Sequence, residues 1–367
     1  MVENIRENKK IISLIFIGLI TVAMFVIFLY SYLNRDKGKP TSLEKRTMNL
    51  NAREIINESR TSSNILSEVN KNDFSNLLLV QGASVELQNA DIIKNGDASD
   101  NDKSRSIGTN SAIVTSFNSQ LSMYNSNIET NGVGSNGFYV TGSNAKATIS
   151  DSDIKTNAYH SAALVAANKG VLNANHVSVY TKSVSSPAID IVNKDANANI
   201  VNTLFETSGA LSPIVNASGQ VTVDRSTGNS YSSNIAILKD TGNVYFKEST
   251  FIAAGGGLPE GFSETGILIY GDNKQVNPQL FSTINSSLNI DKNYPFYRTA
   301  SMFNIVNTNA VISLTNTSFN FGSGVLAYIK DSNVVINTSG QVLNGSIIMD
   351  NKSSLELSLK YNSSYEF

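Results

Sequence analysis

The sequence contains no cysteine and no tryptophan, and only six prolines and two histidines among 367 residues. Each shortage removes some chemistry. Without cysteine there is no disulfide framework and no thiolate metal site. With His160 and His176 as the two histidines, serine-histidine-aspartate triads and histidine-rich zinc sites have little to build on. Without tryptophan, any platform for stacking a sugar must be tyrosine or phenylalanine. Charge of one sign is also lacking. The formal net charge is −2, so neither a basic field for nucleic acid nor an acidic tail is present. No cofactor and no nucleic-acid partner are expected. What is plentiful is Asn, Ser, Thr and Gly, a mix suited to many short strands joined by tight turns.

A short tail, residues 1–10, precedes a stretch from Ile11 to Leu33 with no charged side chain. As a helix it would be about 34 Å long, enough for a bilayer core of about 30 Å. It has no small-x-small cleavage pattern, so it reads as an uncleaved single-pass signal anchor with Tyr30 and Tyr32 at an interface. The tail carries Arg6, Lys9 and Lys10, while Arg35, Lys37, Lys39, Lys45 and Arg46 lie beyond the span. A bare positive-inside count would keep the C-terminal side in the cytoplasm. The expectation is nevertheless N-in and C-out, with the domain outside the cell membrane, because N-terminal anchors usually export the long domain attached to them. Residues 34–75 read as a polar linker. Ala52, Ile55 and Ile56, then Ile65, Leu66 and Val69, hint at short helical faces, either a stalk or a cap for the first coil of a repeat domain.

Residues 76–367 repeat themselves. The unit is apolar-x-apolar, a four-residue gap, then apolar: Val85, Leu87, Ile92; Leu121, Met123, Ile128; Ala147, Ile149, Ile154; and on through Ile312, Leu314, Phe319. From Ile128 to Phe251 the third positions recur every 23 to 26 residues. A second apolar run precedes most units, such as Phe138 to Val140 and Ile189 to Val192. Alternating strand faces would send the apolar pair inward, and the gap would turn the chain into the next strand. The period is too short for a strand-helix-strand crossover, and the hairpin signals of a sandwich are missing. The expected fold is therefore all-β, a parallel β-helix solenoid of about ten coils. Within the gap, eight of ten aligned positions are Ser or Thr, among them Ser126, Ser152, Thr203, Ser226 and Ser249. Asn89, Asn125, Asn202, Asn285 and Asn316 stand one place earlier, as a stacked ladder would require.

The segments "ATISDSDIKTN", "VYFKESTFIAAG" and "AVISLTNTSFNFGSG", following "NGFYVTG" or "SMFNIVN", resemble the pectate-lyase-like right-handed β-helix superfamily. More narrowly, they are similar to adhesin-like surface proteins of bacteria. The resemblance covers about residues 76–359 and implies a right-handed coil. For function it is permissive, since that superfamily holds lyases, hydrolases, epimerases, tailspikes and adhesins.

Candidate chemistry is sparse. A polygalacturonase-like hydrolase would need paired Asp in a short motif and a Gly-His-Gly segment, and neither occurs. Asp91, Asp97, Asp100 and Asp102 form the richest acidic stretch and could offer oxygen ligands to calcium, but they sit in an insertion and read better as a solvated loop. Asp151 and Asp153, with Asp224 and Arg225 further on, are candidates for glycosidic acid/base work and read better as solvated turn residues. His176 replaces a ladder Asn, and His160 lies beside Tyr159 in a turn. No catalytic, cofactor or metal residue is assigned. The best interaction patch is a pair of insertions, "AAGGGLPEGFSETG" and "NYPFYR", the latter with Tyr294, Phe296, Tyr297 and Arg298; the alternative for it is a local hydrophobic plug. The expected function is a non-enzymatic, adhesin-like rod at the cell surface, held in the membrane by residues 11–33 and presenting loops to a polysaccharide, a host or a neighbouring cell. The alternatives are a carbohydrate-active enzyme of the same fold and a self-assembling surface module built on the final coil, which ends "LELSLKYNSSYEF" without an evident cap.

Overall fold

The computed structural model describes residues 50–63, 66–70, 75–98, 100–272 and 277–366. The expected tail, the membrane span at 11–33 and the linker up to residue 49 lie outside the described residues. Among the described residues no helix is long and apolar enough to cross a membrane.

The chain is nearly all β, wound into a stack of parallel strands. Sheet A holds 12 strands, one per coil, from Ala52–Ile56 to Ser346–Met349. Sheet B holds two further columns separated by a bend, as in Gln120–Tyr124 followed by Asn127–Thr130. In two coils one strand, Lys146–Thr156 or Val171–Thr181, runs through the bend and pairs with members of both columns. That continuity makes the pairings of sheet B a linked ladder; it is not a barrel. With neighbouring strands about 4.8 Å apart, the stack is roughly 55 Å long.

Register follows the apolar repeat. Leu121, Ala147, Leu172, Ala198, Val221 and Val244 lie side by side in sheet B, all buried. Small and branched residues fill the first half of the interior. Later coils need bulkier filling, and phenylalanines supply it: Phe246–Phe281, Phe281–Phe303 and Phe303–Phe319 meet edge to face at 5.7, 5.6 and 5.8 Å.

The hydroxyl ladder at the bend is present. Backbone N–H groups of Ala90, Ser126, Thr203, Ser226 and Ser249 donate to the hydroxyls of Ser126, Ser152, Ser226, Ser249 and Ser286 one coil on. Each of those hydroxyls donates to the carbonyl two residues back in its own coil. After Thr317 the rung is Gln341, whose Oε1 accepts from Thr317 N–H in place of the expected Ser339, and Gln341 N–H donates in turn to the Ser363 hydroxyl. The Asn column has a local cause. Asn89, Asn125, Asn202, Asn285 and Asn316 all take φ of 44–50°, the left-handed region Asn tolerates better than most residues.

Two expectations need correction. Around the apolar positions Ala52, Ile55, Ile56, Leu66 and Val69 the chain forms strands, not helical faces: Ala52–Ile56, Arg60–Ser63 and Leu66–Asn70 pair with the next coil, while Ile65 lies outside the described residues. Ile55 is half exposed, so the three-four spacing had counted an outward residue as apolar face. Pairing with an available strand edge outweighed that weak periodicity. The stack therefore begins at Ala52, before residue 76, and its final coil carries Ser354–Lys360 and Ser364–Glu366, within the expected 76–367. Twelve rows replace the ten expected.

Candidate functional site: a cleft between two insertions on sheet A

Sheet A carries an outward column that runs Leu79, Val114, Tyr139, Val165, Asp190, Asn216, Ile237, Leu268 and Asn304. Eight of these nine are buried, although they point away from the core. The two long insertions of the sequence cover them.

The first is the acidic stretch. It does not remain a solvated loop: Asn101–Ile107 form a short helix, α1. Asp100 caps its start by accepting from Lys103 N–H at 3.0 Å, and that bond holds its carboxyl below the usual carboxylate range. Gly108 ends the helix with φ 78°; a Cβ there would lie 2.7 Å from the Tyr139 ring. Ile107 packs with Leu50, Leu79, Val114, Tyr139 and Val165 in a second apolar cluster outside the main core. Tyr139 is completely buried, its hydroxyl donating to the Arg105 carbonyl at 2.7 Å, and burial pushes its pKa well up.

The second insertion, residues 254–264, is stitched to the later strands. Leu211 N–H donates to Gly257 O at 2.7 Å, and Asn304 Nδ2 donates to Ser263 O at 3.2 Å. Phe262 lies against Tyr270, with ring centroids 4.8 Å apart.

Between the insertions lies a cleft of about 300 Å³. Asp102 and Arg105 of α1 form one wall and Pro259 the other; Asp190, Asn216 and Ile237 form the floor, with Lys239 and Tyr270 beyond. Asp190, with 3% of its side chain exposed, accepts from Arg105 Nε at 2.7 Å and Nη2 at 2.9 Å, and from Asn216 Nδ2 at 3.0 Å. The carboxylate raises the Arg105 pKa further. Tyr270 is raised too, by burial first and by Asp240 second. A buried charge pair between Val165 and Asn216 in the column adds little net stability, because desolvation takes back most of the Coulombic gain. It sets the geometry of the cleft floor and gives it polar groups to present.

A larger groove, about 660 Å³, flanks the bend of sheet B near Asn285, Asn316 and Ser318. Its polar groups are spent on one another: Asn316 Nδ2 donates to Asn285, and Ser318 Oγ to Ser287. It holds no buried charge, and the cleft on sheet A is the stronger candidate.

The other residues singled out from sequence are scattered. Asp151 and His176 are neighbours in the left-handed column of the bend, with Oδ1 and Nδ1 2.7 Å apart and both side chains exposed, which a stacked ladder position explains. Asp153 lies near them; Asp224, three coils beyond Asp153, contacts Arg225 and Lys247. Asp91 and Asp97 do not join Asp102 in the cleft. Among the described residues no group of three His, Asp or Glu is arranged to hold a metal ion. His160 occupies the left-handed corner of a second bend (φ 54°) and lines the cleft's rim. In "NYPFYR", Pro295–Arg298 form a 3-10 turn from which Phe296 and Tyr297 pack onto the main core, Phe296 over Gly256, where a Cβ would meet the ring at 2.2 Å. That half of the expected patch is a hydrophobic plug; the other half, through Pro259, forms a cleft wall. Arg105, Asp190, Lys239 and Tyr270 were missed from sequence. The available signal was the unbroken apolar run of the sheet A strands, which marks a sheet buried on both faces, interrupted by Asp190.

No protein-family profile, no curated protein and no solved structure matches this chain.

Proposed function

We propose that this chain is a non-enzymatic surface protein, a right-handed parallel β-helix that binds a polysaccharide segment in the cleft between α1 and residues 254–264. The observation that carries the reading is the Arg105–Asp190–Asn216 cluster, whose Asp190 is the one charged residue of the outer column from Leu79 to Asn304. Sugar hydroxyls are bound by planar, fixed donors and acceptors beside an aromatic face, and the cleft offers Arg105, Asn216 and Lys239 beside Tyr270. Binding is favoured over turnover because both Asp190 oxygens already accept hydrogen bonds, which leaves that carboxylate poorly placed to move a proton. Right-handedness is the rule for parallel crossover connections, and the superfamily resemblance supports it. The proposed location is the outer face of the cell membrane, on the anchor at residues 11–33, and rests on the sequence of that segment.

A glycan array probed with the full chain tests the reading, followed by titration of any bound glycan into the Lys239→Ala and Tyr270→Ala variants. Binding that weakens at least about ten-fold in either variant, about 1.4 kcal/mol, is expected. Binding unchanged in both, or cleavage of the bound glycan, contradicts it. Protease shaving of intact cells tests the location: release of peptides from the β-helix, with residues 1–10 protected, is the expected pattern.

A further inference from the structure

We propose that the last coil is a self-complementary edge through which two copies of this chain pair tail to tail. In the described residues Ser346–Met349, Ser354–Lys360 and Ser364–Glu366 each have a strand partner on one side only. Among the described residues, five of the eleven large apolar side chains that are notably exposed fall within this short stretch: Val342, Ile348, Met349, Leu359 and Tyr361. Met349 and Leu359 stand in inward columns that the preceding coil buries at Ile329 and Thr338, so this edge leaves apolar core positions open to a second copy.

The strand Ser354–Lys360 says what the cover is. Leu355, Leu357 and Leu359 stand in register with Val334, Ile336 and Thr338, which are buried, so all three face inward. Glu356, Ser358 and Lys360 face outward. Ser354 N–H donates to Ser332 O, toward the preceding coil. Backbone groups alternate sides along a strand, so Leu355, Leu357 and Leu359 present their N–H and C=O groups to the open edge.

A second copy added antiparallel about Ser358 uses all of this. Leu357 of each chain exchanges both backbone hydrogen bonds with Leu359 of the other, and the inward leucines continue the core across the join. Glu356 of each chain lies opposite Lys360 of the other, twice per dimer. Neither residue has an ion-pair partner of its own among the described residues. Other registers lose this. Centring on Glu356 sets two carboxylates face to face, and centring on Leu357 sets Glu356 against Ser358 and leaves Lys360 against Ser354. A lysine on an edge ordinarily discourages pairing; here its spacing from Glu356 selects one partner, the same strand reversed. Such a dimer puts the two Ala52 ends at opposite ends of a doubled rod. Joining two facing membranes would result only if the anchor proposed above holds; the pairing does not depend on it.

The native chain has no cysteine, which makes the test clean. Ser358 would form a non-hydrogen-bonded pair with itself, at a Cα separation of about 4.5 Å that a disulfide can span. In the full chain in mild detergent, Ser358→Cys is expected to cross-link to a dimer on oxidation, while Ser122→Cys, on the exposed face of sheet B, does not. By sedimentation, Glu356→Lys and Lys360→Glu should each weaken dimerisation about ten-fold or more, and the double exchange should restore it. Circular dichroism of each variant confirms that it has folded. A chain that stays monomeric, assembles beyond dimers, or dimerises regardless of these charges overturns the proposal.

Discussion

The outer faces of sheets A and B obey different rules on the same backbone lattice. On sheet B the outward residues stay in water: Gln120, Ser122 and Tyr124 are exposed or half-exposed around buried Leu121 and Met123. On sheet A the strand Phe138–Thr141 is buried at every position, because α1 and its neighbours cover the outside. The repeat fixes what points inward, and the insertions decide what happens outside. The cleft exists only where two insertions fall on the same sheet.

The sharpest way to break this contrast is Arg105→Met, which leaves Asp190 buried with Asn216 alone. The expected cost is about 3 kcal/mol, the low end for a broken buried pair because Arg105 is itself half exposed. Faster amide exchange at 100–108 and 189–191, with sheet B unchanged, is the expected reading. Next, Gly108→Ala forces a left-handed φ on alanine and a contact with Tyr139, costing about 2 kcal/mol and loosening the same helix in the same assay. On sheet B, Ser226→Ala strips the acceptor from Thr203 N–H and should cost about 1–2 kcal/mol by denaturant midpoint, against under about 0.5 kcal/mol for Ser122→Ala on the open face. The smallest effect is a pH dependence. Asp100 titrates lower in the folded chain than unfolded, so its cap stabilises α1 above about pH 4 and is lost as the pH falls through the folded pKa. Protection factors at α1, corrected for the slower intrinsic exchange in acid, should fall on acidification in the native chain and lose that step in Asp100→Asn.

The parts legible in the sequence are those the lattice repeats. Leu121, Ala147 and Leu172 share one inward position because side chains alternate, and Ser126 and Ser152 share one bond pattern because each coil must satisfy the last. The cleft was not legible, because its members come from distant coils. Arg105 and Asp190 are 85 residues apart and meet through an insertion whose charges read as solvated. The first coil was missed for a related reason: with one neighbour on one side, its pattern is too weak to announce a strand before the partner is known.

Ligand is expected to bind where the insertions meet on sheet A. Hydrogen–deuterium exchange of the full chain, with and without a saturating glycan identified on the array, tests it most directly. Protection is predicted at residues 101–105, 187–190, 237–239 and 259–270. Protection confined to the groove along the sheet B bend, around Asn285 and Asn316, would contradict it.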